Sequence, residues 1–420
     1  MIFRELTEDE FDRFSENCAQ KNYVQTSKMA KLKQRQGNES YLVGMLDNDK
    51  IVAATMMFSI KTHFNKYIFY APRGLLIDYH NLSLLKKFTK ELKKFIKQKK
   101  GIKLIIDPKE IYRIMDSDGN EISQENKQSF ENLKKCGYKH FGFNKDFETI
   151  QVRYEAIIDV IGSYEDMLNT FSKSTKKHIL DLVNNPIKVR RGNKEDLPIM
   201  EKLFSYTAEN KHFEHKSLEY YEMMYDIMPE LMNIYIAYID FEYEKNLLDQ
   251  QVSQAYDELS KIKEEMKKIN VGSKMIKKLD LSERRIERLN NMLDINKENY
   301  KKYGRILNIG ALLSIESGDE YISLTSGMLS EFKNYNPKYA MYNEHIKDAI
   351  NKRKKMINFY GISGNLDQNS ELYKIYELKK GFNPNIVEMI GQFDLPVHCS
   401  YYIYRLVSSI KNMFKKIRKI

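Results

Sequence analysis

Asp107 follows the apolar run Ile102-Lys103-Leu104-Ile105-Ile106 and precedes Pro108. Such a run predicts a buried strand, and open α/β sheets place their ligands at the C-terminal ends of their strands. A carboxylate there can orient an amine or relay its proton. As an Asp before Pro it can equally be a turn former. Lys33 closes a basic stretch with Lys28 and Lys31, and Lys216 stands in the run His212–Tyr221 beside His215. Such cations bind an anion such as phosphate, or are merely solvated. Lys379 ends a predicted helix just before Gly381. Nothing signals covalent catalysis: there is no GxSxG elbow and no cysteine with a histidine motif. Cys18, Cys136 and Cys399 are odd in number and far apart, fitting neither a disulfide framework nor a zinc site.

The elements that must hold these residues alternate between strand and helix. Strands are predicted over Tyr41–Leu46, Ile51–Ile60, Tyr67–Tyr70 and Ile102–Ile106, with helices over Ser27–Arg35, Leu82–Lys99 and Lys127–Lys135. The second half has the same grammar: strands Asn233–Ile239, Asn308–Ser314, Tyr321–Leu324 and Met356–Tyr360, and a helix Tyr339–Arg353. The interval from Gly74 to Asp107 and that from Gly327 to Gly361 differ by a single residue. This predicts an internal duplication: an α/β (α+β) chain of two tandem units with mixed sheets. The first unit is 1–150. The second is 151–240 with 304–400.

Between the two pieces of the second unit lies a different pattern. Leu248, Val252, Ala255, Leu259, Ile262, Met266 and Ile269 recur four and three apart, a coiled-coil seam of about three heptads. After the breaker Asn270–Lys274 a second stripe runs through Leu279, Ile286, Leu289, Leu293, Tyr300 and Tyr303, interrupted by Ser282 and Asn296. This predicts an antiparallel helical arm over 241–303, each helix roughly 38 Å long. A dimerisation coiled coil is the alternative, so a homo-oligomer stays open.

The chain has 420 residues, 42% of them hydrophobic and 30% charged, with a net charge of +11. That balance predicts a soluble protein with real cores and polyanionic partners: nucleic acid, anionic lipid or pyrophosphate compounds. No apolar run approaches the roughly 20 residues of a membrane span, and Met1–Leu6 does not read as a signal peptide. A cytoplasmic location is expected. At 401–420 a basic helix is predicted, with Val407, Ile410, Phe414 and Ile417 on one face and Lys411, Lys415, Lys416, Arg418 and Lys419 around them. Such a segment suits peripheral contact with an anionic leaflet, or packs its stripe on the protein.

Several segments together resemble the Fem-type aminoacyltransferases that build the interpeptide bridge of peptidoglycan, staphylococcal-type members above all. They are APRGLLIDY (71–79), LIIDP (104–108), GYKHFGF (137–143), QVRYEAIIDV (151–160), NFYGISG (358–364) and KKGFNPNIVEMIGQF (379–393), with the arm placed as in that family. The resemblance implies two acetyltransferase-like (GNAT-related) units. It also implies transfer of an amino acid from aminoacyl-tRNA to an amine of a lipid-linked muropeptide, with no metal and no nucleotide cofactor. It implies that Asp107 is the acidic site residue, that Lys33 contacts acceptor phosphates, and that Lys379 holds the acyl-donor end or its oxyanion. Arg73 and Tyr360, within the matching segments, are implied substrate contacts. Lys216 stands where the family commonly has arginine, keeping the charge but losing the bidentate fork. Leu378 replaces a family Phe. Leu324 and Thr325 replace glycines, which either alters specificity or reflects drift. The phosphate loop of CoA-dependent acyltransferases is absent, which disfavours that use of the fold.

Overall fold

The structure, a computed structural model, describes residues 1–62, 65–211, 214–268, 272–403 and 405, with Lys268 as backbone only. Its strands, in chain order, are β1 (Ile2–Glu5), β2 (Ser40–Asp47), β3 (Lys50–Lys61), β4 (Tyr67–Ala71), β5 (Gly101–Ile106), β6 (Ile111–Met115), β7 (Lys139–His140), β8 (Tyr154–Asp159), β9 (Ile187–Gly192), β10 (Met232–Asp240), β11 (Ile306–Ser317), β12 (Glu320–Met328), β13 (Met356–Ile362), β14 (Asn385–Met389) and β15 (Phe393–Pro396). They form two mixed sheets, ordered β1-β2-β3-β4-β5-β15-β7 and β6-β14-β8-β13-β12-β11-β10-β9.

The two sheets repeat one plan. In the first, β1 through β4 pair antiparallel, β4 and β5 run parallel, and β15 is antiparallel to β5. In the second, β9 through β12 pair antiparallel, β12 and β13 run parallel, and β8 is antiparallel to β13. A helix makes each parallel crossover: Leu82–Gln98 in the first and Pro337–Asn351 in the second, as a parallel pair requires. Leu82–Gln98 forms because Leu84, Leu85, Phe88, Leu92 and Ile96 recur at helical spacing, and all are buried.

The units exchange strands, which no periodicity foreshadowed. β6, from the first half of the chain, pairs with β14 at the edge of the second sheet. β15, near the end of the chain, pairs with β5 in the first. They also share one apolar core: Met29, Leu32 and Met56 from the first half are continuous with Phe204, Met224, Ile236 and Leu313 from the second.

The arm is two helices, Phe241–Lys268 and Ser273–Tyr303, of 28 and 31 residues, about 42 and 46 Å at 1.5 Å per residue. They pack antiparallel, since Glu258 pairs with Arg285, Glu265 with Lys278, and Glu244 with Asn296. Leu248, Ala255, Leu259, Ile286 and Leu289 form their own small core. Asn296, one of the interruptions in the stripe, is 2% exposed. Its amide donates to Phe241 O (3.0 Å) and Glu244 Oε2 (2.8 Å), and Tyr335 donates to Glu244 Oε1 (2.8 Å). The polar break is thus the bolt at the arm's root. The root itself belongs to the second unit, because Phe241 and Tyr303 pack into that unit's core. Ile269 lies outside the described residues, as does the C-terminal stripe from Val407 onward; Tyr401–Ile403 is helical. Among the described residues, no helix is long and apolar enough to cross a membrane.

Candidate active site

Asp107 stands directly after β5, where β4 and β5 separate beyond the Ala71–Ile106 pair. It is 3% exposed. Its Oδ2 accepts from the Tyr70 hydroxyl (2.6 Å) and its Oδ1 from the Arg73 backbone N–H (2.7 Å). Arg73 has φ +53°, a conformation uncommon for a side-chain-bearing residue, and the bond to Asp107 holds it there. The Arg73 guanidinium donates to Glu155 Oε1 (2.5 Å) and Val152 O (2.9 Å). Glu155, on β8, also accepts from Asn358 Nδ2 (2.7 Å) on β13. Burial raises the Asp107 carboxyl to about 6, against the opposing pull of Arg73 and the Tyr70 hydrogen bond. Burial also opposes the charge of Arg73, yet Glu155 beside it keeps the guanidinium firmly protonated. The cleft beside Asp107 and Arg73 is narrow and is bordered by Pro108, Gln151 and Gln392.

The corresponding separation in the second sheet is open. β12 and β13 pair only from Glu320–Met356 to Ile322–Asn358. Beyond that a pocket of about 230 Å³ lies between them, lined by Ser323–Ser326 of β12, Phe359–Gly361 of β13, and Lys379. Lys379 is 8% exposed and donates to Gly361 O (2.7 Å) and Tyr360 O (3.5 Å). Burial first, then the charge of Lys338, pushes its ammonium down to about 7. Leu378 sits half-buried against the second core.

Tyr360 joins the two regions. Its φ is +61°, its amide donates to Asn358 Oδ1 (2.7 Å) and its hydroxyl to Gln151 Oε1 (3.0 Å). It lines the Lys379 pocket, while its phenol, pushed up to about 12 chiefly by burial, also feels the charges of Arg73, Glu155 and Asp107.

The basic stretch resolves into unlike members. Lys28 pairs with Glu230 and Lys31 with Glu8. Lys33 donates to Gln36 (2.9 Å), and its ammonium lies 5.0 Å from the Phe58 ring centre. Among the described residues it has no acidic partner. Burial, and then the charge of Lys216, lowers it to about 8. Lys216 lies 5.6 Å from the centre of the Tyr220 ring, and Tyr220 in turn is close enough to be felt by Tyr360. His215 is tied instead to Glu201 at 3.0 Å. The structure therefore places Lys33 with Lys216, Asp107 with Arg73, and Tyr360 with Lys379, the three pairs linked through Tyr220 and Tyr360. Sequence reading missed Tyr70, Glu155 and Asn358. The available signal was a lone polar residue on the inward face of an apolar strand, as in Tyr154-Glu155-Ala156-Ile157-Ile158.

The FemAB family model matches residues 6–409. Aminoacyltransferase FemA of Staphylococcus epidermidis RP62A is 28% identical over 423 residues, covering 98% of this chain and 100% of that protein. Aminoacyltransferase FemA of Staphylococcus aureus MRSA252 is 28% identical over 424 residues, covering 98% and 99%. The crystal structure of FemX superimposes with a TM-score of 0.75 at 20% identity, covering 97% of this chain and 100% of FemX, and so shares its fold.

Proposed function

The chain is an aminoacyltransferase of the FemAB family, and from that premise we propose that it moves an amino acid from aminoacyl-tRNA onto an amine of a lipid-linked muropeptide. The single observation that carries this reading is the place of Tyr360. It faces a buried carboxylate system, Asp107 with Arg73, on one side and a basic, open pocket ending in Lys379 on the other. An amine and an ester approaching from opposite sides meet there.

The reaction is aminolysis of an ester that is already activated, so the protein's task is positioning, proton removal and oxyanion stabilisation. The acceptor's nitrogen forms a C–N bond at the ester carbonyl, and the C–O bond to the ribose breaks. The acceptor ammonium gives up one proton toward the Tyr70–Asp107 pair, and the attacking nitrogen's second proton passes to the ribose oxygen, which leaves as a hydroxyl. Lys379 offers an N–H to the carbonyl oxygen as charge builds on it. Lys33 and Lys216 hold the acceptor's phosphates. No metal or nucleotide cofactor is needed for this step.

The enzyme works in the cytoplasm, at the inner face of the membrane that carries its acceptor. The basic segment Lys411–Lys419 supports that contact, which flotation with anionic and neutral liposomes reads directly. For the transfer itself, the protein is incubated with charged tRNA and lipid-linked muropeptides. A mass increment of one amino-acid residue on the muropeptide is expected. No increment with any charged tRNA, or an increment from acetyl-CoA instead, would overturn the reading.

A further inference from the structure

We propose that Lys338 and Lys211 form a phosphodiester site at the mouth of the second unit's pocket, which takes the backbone of the donor RNA's 3′ end. The inference rests on the donor assignment above and adds two residues that the family resemblance did not bring forward. Three lysines line this pocket, and no aspartate or glutamate does. They are graded in depth. Lys379 is at the floor, buried. Lys338, half-buried, is in the first turn of the helix Pro337–Asn351. Lys211, exposed, ends the helix Leu197–Lys211. Each is near enough to the next to disfavour its charge, Lys338 acting on Lys379 and Lys211 on Lys338. Among the described residues, neither Lys211 nor Lys338 makes an ion pair.

Cations that repel one another without a carboxylate between them raise the free energy of the empty site, and a bound anion relieves it. Their arrangement selects the shape of that anion. A free phosphate is compact and would be met by converging lysines. Charges strung from floor to rim match a chain of phosphates entering end-on. The size agrees. About 230 Å³ is the volume of roughly seven or eight waters at about 30 Å³ each. That holds an aminoacyl ester and part of a ribose, leaving the base and the preceding phosphodiesters at the rim, beside Lys338 and Lys211.

The test uses the full chain with Lys338→Gln, Lys211→Gln, the double variant, and Lys338→Arg as the charge-conserving control. KM is measured separately for aminoacyl-tRNA and for the lipid-linked acceptor at two salt concentrations. Binding of a CCA trinucleotide is measured in parallel. The double variant should raise KM for aminoacyl-tRNA about tenfold, leave acceptor KM in place, and reduce the salt slope of donor binding by about 1–2; Lys338→Arg should keep donor KM near that of the unaltered protein. Unchanged donor KM and trinucleotide affinity in an active double variant would overturn the proposal, as would equal shifts for both substrates. Trinucleotide binding keeps this test apart from the last one. If the unaltered protein transfers nothing, the proposed function falls, while trinucleotide binding lost on removing both lysines still supports the site.

Discussion

The two sheets split open at equivalent places, where a parallel strand pair parts, and the chain treats the two openings in opposite ways. In the first unit the opening is narrowed by the protein itself: Asp107, Arg73 and Glu155 tie it together with hydrogen bonds. In the second it stays open and is lined with lysines that have no acids among them. One plan, used twice, thus gives a tightly bonded carboxylate in one copy and an open pocket in the other, with Tyr360 between them.

The largest effect should come from breaking the narrowed side. Arg73→Ala leaves Glu155 buried without its cation, and removing one partner of a buried pair costs about 3–5 kcal/mol. Urea unfolding should show that loss. A loss under about 1 kcal/mol would mean that this opening is not structurally required, and the contrast would fail.

Lys379→Met tests the open side, with the opposite signature. Transfer should fall by roughly 10²–10³ in kcat, while stability at pH 7 holds or improves. The pH dependence has a definite sign. The native ammonium titrates near 7, below its ordinary value of about 10.4. Between those values the unfolded chain binds more protons, so the unaltered protein gains stability relative to Lys379→Met as pH rises from about 7 to 10. Chemical denaturation of both proteins across that range checks it. A variant that unfolds like Arg73→Ala would place Lys379 on the structural side of the comparison.

Asp107→Asn asks whether the narrowed opening also does chemistry. It should slow single-turnover transfer about 10²-fold with the circular dichroism spectrum unchanged. Asp107 is pushed up to about 6 from the ordinary aspartate value of about 3.9, so the native state holds a proton that the unfolded chain has released between these values. The unaltered protein should therefore lose stability relative to Asp107→Asn as pH rises from about 4 to 6. Full activity in this variant would leave Asp107 a purely structural clamp.

The smallest effects belong to the arm, which only the second unit carries. Asn296→Ala strips one donor from buried Glu244 and should cost about 1–3 kcal/mol. Arg285→Gln removes an exposed pair with Glu258 and should cost less than about 1 kcal/mol. Replacing residues 249–292 by a short Gly/Ser turn should leave both units folded, because Phe241, Glu244 and Asn296 stay in place. If that excision unfolded the chain, the arm would be part of the scaffold rather than an appendage to it.

Much of this was legible in the chain itself. Apolar spacing placed β2 to β5, β10 to β13 and both crossover helices, because burying one face of a strand or helix imposes its own period on neighbouring residues. The same rule drew the arm from the four-three recurrence of Leu248 through Met266, and the strand-end position of Asp107 followed from the apolar run before it. The Lys28–Lys33 stretch shows the limit: three lysines read alike, yet Glu230 and Glu8 neutralise two of them, while Lys33 has no acidic partner among the described residues. Only the tertiary structure decided that β6 and β15 change sheets, that Glu155 and Asn358 lock Arg73, and that Lys211 and Lys338 line one pocket with Lys379. Each of these joins residues remote in the chain, and periodicity carries no information across such separations. The pattern of one element is set by what it buries, whereas the meeting of two distant elements is set by how whole surfaces pack.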